Sequence, residues 1–205
     1  MPASTTQSLA VWGLAIAAVV AVLAIVGFRH LAGGAWGRIA LLVAAALLPL
    51  SVSLAGLKTG VAESSRTRFC LSCHEMGNHG RSLFADNNRA LAAVHYQNRL
   101  IDRDTACYSC HTDYALFGDV KAKLNGLRHV WVHYFGKIPE KPALYQPYKN
   151  YNCLHCHEDG RRFTEAPAHQ AVLGKIGSGE MSCMTCHNVA HDHQKVKEGA
   201  LWQPK

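Results

Sequence analysis

Past residue 57 the sequence offers little from which to build an ordinary core. Long apolar runs are few there, no alternating strand pattern stands out, and tight-turn hairpin signals are sparse. That argues against a sheet-based fold. Lys58 to Lys205 is 148 residues, and a domain of that size normally depends on packed Leu, Ile and Val. Acidic side chains are scarce too: 14 Asp and Glu face 21 Lys and Arg, a formal charge of +7. Such an excess ordinarily points to nucleic acid or anionic lipid. No cysteine is left over, because all eight fall into one pattern.

That pattern is Cys-x-x-Cys-His, present four times as Cys70/Cys73/His74, Cys107/Cys110/His111, Cys153/Cys156/His157 and Cys183/Cys186/His187. It is the attachment signature of c-type heme. The two thiols add to the heme vinyl groups, and the adjacent His faces the iron as proximal ligand. Paired Cys-x-x-Cys units also hold structural zinc, but zinc does not require His after every second Cys. With 13 His in 205 residues, four such coincidences arise by chance with a frequency on the order of 10⁻⁵. A thioredoxin-like disulfide needs one pair in a βαβ context, which is absent. The expectation is four covalent heme c groups at 37 residues each, with the porphyrins as most of the core. Their eight propionates balance much of the basic excess, which removes the case for nucleic acid. A residual basic face toward phospholipid headgroups stays open.

The apolar residues concentrate at the start. Leu9–Phe28 and Ile39–Leu57 carry no charged side chain, and each is long enough to cross a bilayer as a helix. Pro49 permits a kink that membrane helices tolerate. The leader "MPASTTQS" has no Lys or Arg, whereas a secretory signal wants a positive start, so two retained spans are expected. Arg29 and Arg38 flank the short loop between them, which assigns that loop to the cytoplasm. The chain then reads as a membrane anchor over 1–58 and a heme domain over 59–205. It is multi-pass in a bacterial inner membrane, with the heme domain outside, where covalent heme attachment takes place.

The fold class expected is all-α: two membrane helices, then a loop-rich, mainly helical tetraheme domain. Helices are predicted at Ser82–Arg99, Tyr114–Phe135, Ala166–Lys175 and Asn188–Glu198, with Pro139, Pro142 and Pro147 in a loop joining two similar halves. In each half a motif leads to a helix and a histidine, and the next motif follows His95 by 12 residues and His169 by 14. His191 lies four residues after His187. These three histidines are candidate distal iron ligands, whereas His79, His133, His155 and His193 read as surface or hydrogen-bonded imidazoles. Met76, two residues past His74, can compete with it for the first iron.

The segments "CLSCHEM" at Cys70–Met76, "AAVH" ending at His95, "CYSCH" at Cys107–His111, "KAKLNGLRHVW" at Lys121–Trp131, "EAPAH" ending at His169 and "CMTCHNVAH" at Cys183–His191 carry a resemblance. The chain resembles the NapC/NirT family of membrane-anchored tetraheme quinol dehydrogenases. The likeness implies quinol oxidation (menaquinol or ubiquinol) at the periplasmic membrane face beside the first heme. Electrons then pass to a periplasmic reductase or multiheme cytochrome, within a hetero-oligomeric complex. In NrfH-like members the methionine matching Met76 ligates the first iron. Three further hemes are bis-His, drawing on His111, His157 and His187 with His95, His169 and His191.

Lys123 matches the family's lysine in the same segment and is the candidate hydrogen-bond donor to a quinol oxygen. His129 stands where members carry an acidic residue, and is the candidate base. Asp113 and Tyr114 stand where NapC-like members carry another histidine. Family members usually have a single span, not two. The alternative reading is a non-catalytic electron-transfer subunit whose membrane partner handles the quinone.

Overall fold

The computed structural model describes residues 3–27, 34–139 and 144–203. The expected span end at Phe28 and the residues Arg29, His30 and Pro142 lie outside these segments. Contacts divide the chain into one unit through Ser64 and a second from Ser65.

The first unit is helical. Helix α1 covers Ala3–Gly27. Helix α2, Ala35–Leu42, runs through a π-helical turn at Val43–Leu47 into α3, Leu48–Glu63. Pro49 explains the turn: it has no N–H for the carbonyl one turn earlier, and a widened turn absorbs the mismatch. The Ser51 hydroxyl donates to Leu47 O at 2.7 Å and Leu48 O at 3.0 Å within the next turn. Ala35–Glu63 is 29 residues, or about 43 Å of helix against a bilayer core of about 30 Å. Among the described residues it is the one helix long and apolar enough to cross a membrane.

The expectation of two spans is corrected to one candidate. The apolar segment described within α1 is Trp12–Ala24, about 20 Å at 1.5 Å per residue. Ala18, Val19 and Val22 of α1 line a groove with Pro49, Val52 and Ser53 of α3. Of these only Ala18 is buried, while Leu14, Ile16, Leu23, Leu50, Leu54 and Leu57 face outward. Water-soluble helices do not leave so continuous an apolar surface uncovered.

The second unit contains α4 (Thr67–Cys70), α5 (Gly77–Ser82), α6 (Leu91–Gln97), α7 (Ala106–His111), α8 (Gly118–Phe135), α9 (Asn150–His157), α10 (Arg161–Thr164), α11 (Pro167–Gln170), α12 (Leu173–Gly177) and α13 (His193–Glu198). No strand occurs among the described residues; one isolated antiparallel bridge joins Ala85 and Leu201. The buried apolar residues are few and mostly small: Ala85, Ala90 and Ala93 are fully buried, joined by Leu83, Ala106, Ile176 and Val196. The largest side chain wholly out of solvent is Ser82. This polypeptide alone does not supply the core such a unit needs.

The helices are shorter than the sequence suggested, and each break has a local cause. Of the expected helix Ser82–Arg99, only Ser82, the last residue of α5, and Leu91–Gln97, α6, are helical. The backbone between them bonds to the C-terminal segment instead, through Asp86 N to Ala200 O (3.0 Å) and Trp202 N to Phe84 O (2.7 Å). Gln97 also donates to Leu83 O and Ala85 O. Tyr114–Phe135 starts only at Gly118, after Phe117 in the left-handed region. A Cβ at Gly118 would collide with Asp113 O, so no other residue fits that turn. Ala166–Lys175 divides at Val172 into α11 and α12. Asn188–Glu198 is helical only from His193, where the Asp192 carboxylate accepts from Lys195 N at 2.9 Å.

Candidate functional site

The cysteines sit in or beside short helical turns. Cys70 ends α4, Cys107 and Cys110 lie in α7, Cys153 and Cys156 in α9, and Cys183 opens a 3-10 turn. In motifs two and three one turn of helix brings both thiols of a pair to one side, as attachment to a single macrocycle requires. Motifs one and four depart from that form. Cys73 is extended, just ahead of the 3-10 turn that His74 begins. Cys186 falls just past the end of its 3-10 turn, with its N–H donating to Cys183 O at 3.3 Å.

Burial divides the set as well. Cys73, Cys156 and Cys186 are exposed, whereas Cys70, Cys107, Cys110, Cys153 and Cys183 are half-buried. The sequence reading made the porphyrins the core, and the polypeptide does leave these three thiols uncovered, at the second position of their motifs. No two of the eight are joined as a disulfide.

Neighbouring motifs touch in order. Cys70 and Cys107 share a hydrogen bond that lowers the Cys70 thiol to about 7 and pushes Cys107 up. Burial raises Cys110, with the charge of Cys156 adding to it. Cys153 is raised to about 12 by burial and then by Cys183. Motifs one to four therefore form a chain of adjacent attachment points.

The histidines supply the test of fit for heme. An iron bound by two imidazoles, with metal–nitrogen bonds of roughly 2.0–2.1 Å and about 1.1 Å from nitrogen to ring centre, sets the ring centres about 6 Å apart. His111 and His191 have centroids 6.2 Å apart, His95 and His157 5.9 Å, and His169 and His187 6.1 Å. Each pair joins a motif histidine to one candidate distal histidine.

The distal rings are also oriented. His95 Nδ1 lies 2.8 Å from Leu91 O and His169 Nδ1 3.1 Å from Phe163 O. A carbonyl only accepts, so the proton is on Nδ1 and the Nε2 lone pair is left for a metal. Ser82 gives its own proton to His79 O (2.6 Å) and accepts from His191 Nδ1 (2.7 Å), with the same result. The residues present fit heme.

Ring spacing alone does not mark a pair, since His191 and His193 also lie 6.0 Å apart; neither of these follows a Cys-x-x-Cys. Burial lowers the pKa of His111 and of His157, which favours the neutral imidazole that binds a metal.

Met76 closes the 3-10 turn His74–Met76 and is half-buried. At about 120° per residue on such a turn, it points roughly 240° away from His74. The sequence reading gave His133 as a surface or hydrogen-bonded imidazole and did not name Glu75. His133 Nδ1 lies 2.5 Å from Glu75 Oε1, and that oxygen is 3.4 Å from His74 Nε2. Their separation of 58 positions leaves no local signal for the contact.

Helix α8 carries the other two candidates on different faces. Lys123 donates to Ser65 Oγ at 2.7 Å and lies 4.1 Å over the Tyr108 ring. Burial lowers its pKa, against the charges of Cys70 and Asp119. His129 Nδ1 is 3.1 Å from the Tyr145 hydroxyl, and the Arg128 guanidinium stacks on the same Tyr145 ring. Burial and then Arg128 lower the His129 pKa. Six residues of helix separate the two by about 240° around the axis, so the fold gives them separate surroundings. Asp113 receives Tyr151 OH at 2.6 Å and faces Lys121 at 3.6 Å, tying the start of α8 to α9.

Paired thiols with an adjacent histidine, facing second imidazoles across the width of an iron, define a c-type cytochrome. Residues 34–197 match the model of the NapC/NirT cytochrome c family, N-terminal region, and the chain belongs to that family. It is a membrane-anchored electron-transfer cytochrome with covalently bound heme c.

The chain is 24% identical to the cytochrome c-type protein NapC of Escherichia coli K12 over 163 residues, 70% of this chain and 76% of that protein. With NapC of Paracoccus pantotrophus the figures are 26% over 173 residues, 73% and 69%. With the cytochrome c-type protein TorC of Escherichia coli K12 they are 23% over 161 residues, 68% of this chain but 38% of that protein. No solved structure matches.

Proposed function

We propose that this chain oxidises quinol and passes the electrons through four heme c groups to a periplasmic reductase or cytochrome. Bound at the four motifs, the hemes supply one-electron carriers whose potentials follow axial ligation and exposure. The observation that carries the four-heme reading is the set of motif-to-distal imidazole pairs at iron spacing, with Nδ1 tied off on each distal ring. His111 with His191, His157 with His95, and His187 with His169 hold three of the irons. The heme unit lies on the periplasmic side, where heme is joined to reduced thiols.

Quinol gives up two electrons and two protons, so the site needs a donor to the ring oxygens and a base. Lys123, held by Ser65 over the Tyr108 ring of motif two, donates a hydrogen bond to a quinol oxygen. His129 is neutral near pH 7 because burial and Arg128 lower its pKa. In the tautomer with its proton on Nδ1, facing the Tyr145 hydroxyl, its Nε2 accepts one quinol proton and hands it to solvent before taking the second.

The test compares reduction of the purified chain by a short-chain quinol and by dithionite. Lys123→Ala and His129→Ala should each slow the quinol reaction at least ~10-fold, within the range of general acid–base effects, and leave dithionite reduction intact. Equal quinol rates in wild type and variant remove that residue from the mechanism. The separate surroundings of Lys123 and His129 favour one other reading, a conduit whose partner handles the quinone. In that case the isolated wild-type chain is not reduced by quinol at all.

A further inference from the structure

We infer that His133 is the fourth distal ligand, so that the first iron is held between His74 and His133 rather than by Met76. The inference rests on the four-heme reading above and deepens it at motif one.

His133 shares both features that mark the other three distal histidines. Its ring centre lies 6.0 Å from that of His74, against 5.9–6.2 Å for the three pairs already described. Its Nδ1 is likewise occupied, here by the Glu75 carboxylate. An ionised carboxylate only accepts, so the proton is on Nδ1 and the Nε2 lone pair is available. The carboxylate–histidine–metal relay is a recurrent way to fix a ligand ring and raise its basicity.

One ligand atom from each of His74, Glu75 and His133 falls within 4.8 Å of the others. Glu75 Oε1 also lies 3.4 Å from His74 Nε2, so the carboxylate borders the gap between the two rings. The His74 side chain is 83% exposed, leaving its face open to a flat macrocycle attached at Cys70 and Cys73. Met76 lies two positions on from His74, about 120° away around the same turn. The position of His133 on α8, one turn beyond His129, also places the first iron's ligand on the helix that carries both candidate quinol residues.

The experiment is spin-state and ligand spectroscopy on the purified full chain, by low-temperature electron paramagnetic resonance and near-infrared magnetic circular dichroism. The wild type should show four low-spin bis-His hemes and no His–Met band. His133→Ala should keep four hemes by mass and convert one of them to high spin. In His133→Gly, added imidazole should restore the low-spin signal. Met76→Leu should leave all four signals unchanged. Glu75→Gln should keep four low-spin hemes and raise one midpoint potential, because the ligand loses its carboxylate partner.

Four unchanged low-spin signals in His133→Ala, or a His–Met band abolished by Met76→Leu, overturn the assignment while the four-heme reading stands. So does a divalent metal detected by elemental analysis and lost in His133→Ala with the spectra unchanged. A wild-type chain without covalent heme removes the underlying reading itself.

Discussion

Ser82→Ala isolates what positions a distal histidine. Ser82 is wholly out of solvent, and its hydroxyl bridges His79 O at 2.6 Å and His191 Nδ1 at 2.7 Å. Alanine fits the space, removes one oxygen and takes one hydrogen bond from each of two half-buried residues. A buried hydrogen-bonding group left unsatisfied costs about 1–3 kcal/mol, and the loss at Nδ1 falls directly on the orientation of His191. Losing about 1–3 kcal/mol of restraint raises the population with His191 off the iron by about 5- to 150-fold.

The assay is a carbon monoxide titration of the dithionite-reduced protein, since a six-coordinate iron excludes carbon monoxide until an axial ligand leaves. One heme of the variant should take up carbon monoxide at a concentration about 5- to 150-fold below its wild-type value, with the others unmoved. A Ser82→Ala protein that carries its hemes and titrates like wild type would refute the argument that Ser82 holds His191.

Three further outcomes follow from the geometry. The quinol-dependent rate should fall as pH drops through the His129 pKa, which lies below the ordinary imidazole value of 6.5. The base works only when neutral, so activity is full above that pKa and lost below it, and His129→Gln should abolish the acid limb. The planes of His95 and His157 are nearly perpendicular at 86°, whereas those of His111 and His191 are nearly parallel at 16°. Electron paramagnetic resonance should therefore resolve one highly anisotropic low-spin signal that His95→Met removes and one rhombic signal that His191→Met removes; signals that respond to the opposite variants contradict these pairings. Gly118→Ala should lower the thermal midpoint, because its Cβ meets Asp113 O and overpacking costs about 1–3 kcal/mol, more than the helix propensity gained; an unchanged or higher midpoint contradicts the close approach.

The cofactor chemistry was legible in the sequence because heme attachment is local, with both thiols and the proximal histidine inside five residues. Local spacing did not reveal that Cys73 and Cys186 lie outside regular helix, at the edges of 3-10 turns. The candidate distal histidines were named from their place in the two halves, but not the motif histidines that their rings face. His95 precedes motif two, yet the motif histidine its ring faces is His157 of motif three. His191 follows motif four and faces His111 of motif two.

Pairing of this kind is decided by long-range packing. So were the helix ends: backbone groups near Ala85 bond to Ala200 and Trp202, which no window of helix propensity registers. His133 was read as a surface or hydrogen-bonded imidazole, and its partner Glu75, 58 positions away, could not be named. The first apolar run was counted as a span by composition. Within α1, the apolar segment the structure describes stops short of a bilayer core.

Heme stoichiometry on the purified chain tests the central claim most directly, by intact mass and by hemochrome absorbance per polypeptide. Four covalent hemes and no titratable thiol among the eight cysteines are the predicted result. A mass equal to the bare polypeptide, with eight reactive thiols and no heme absorption, would contradict it.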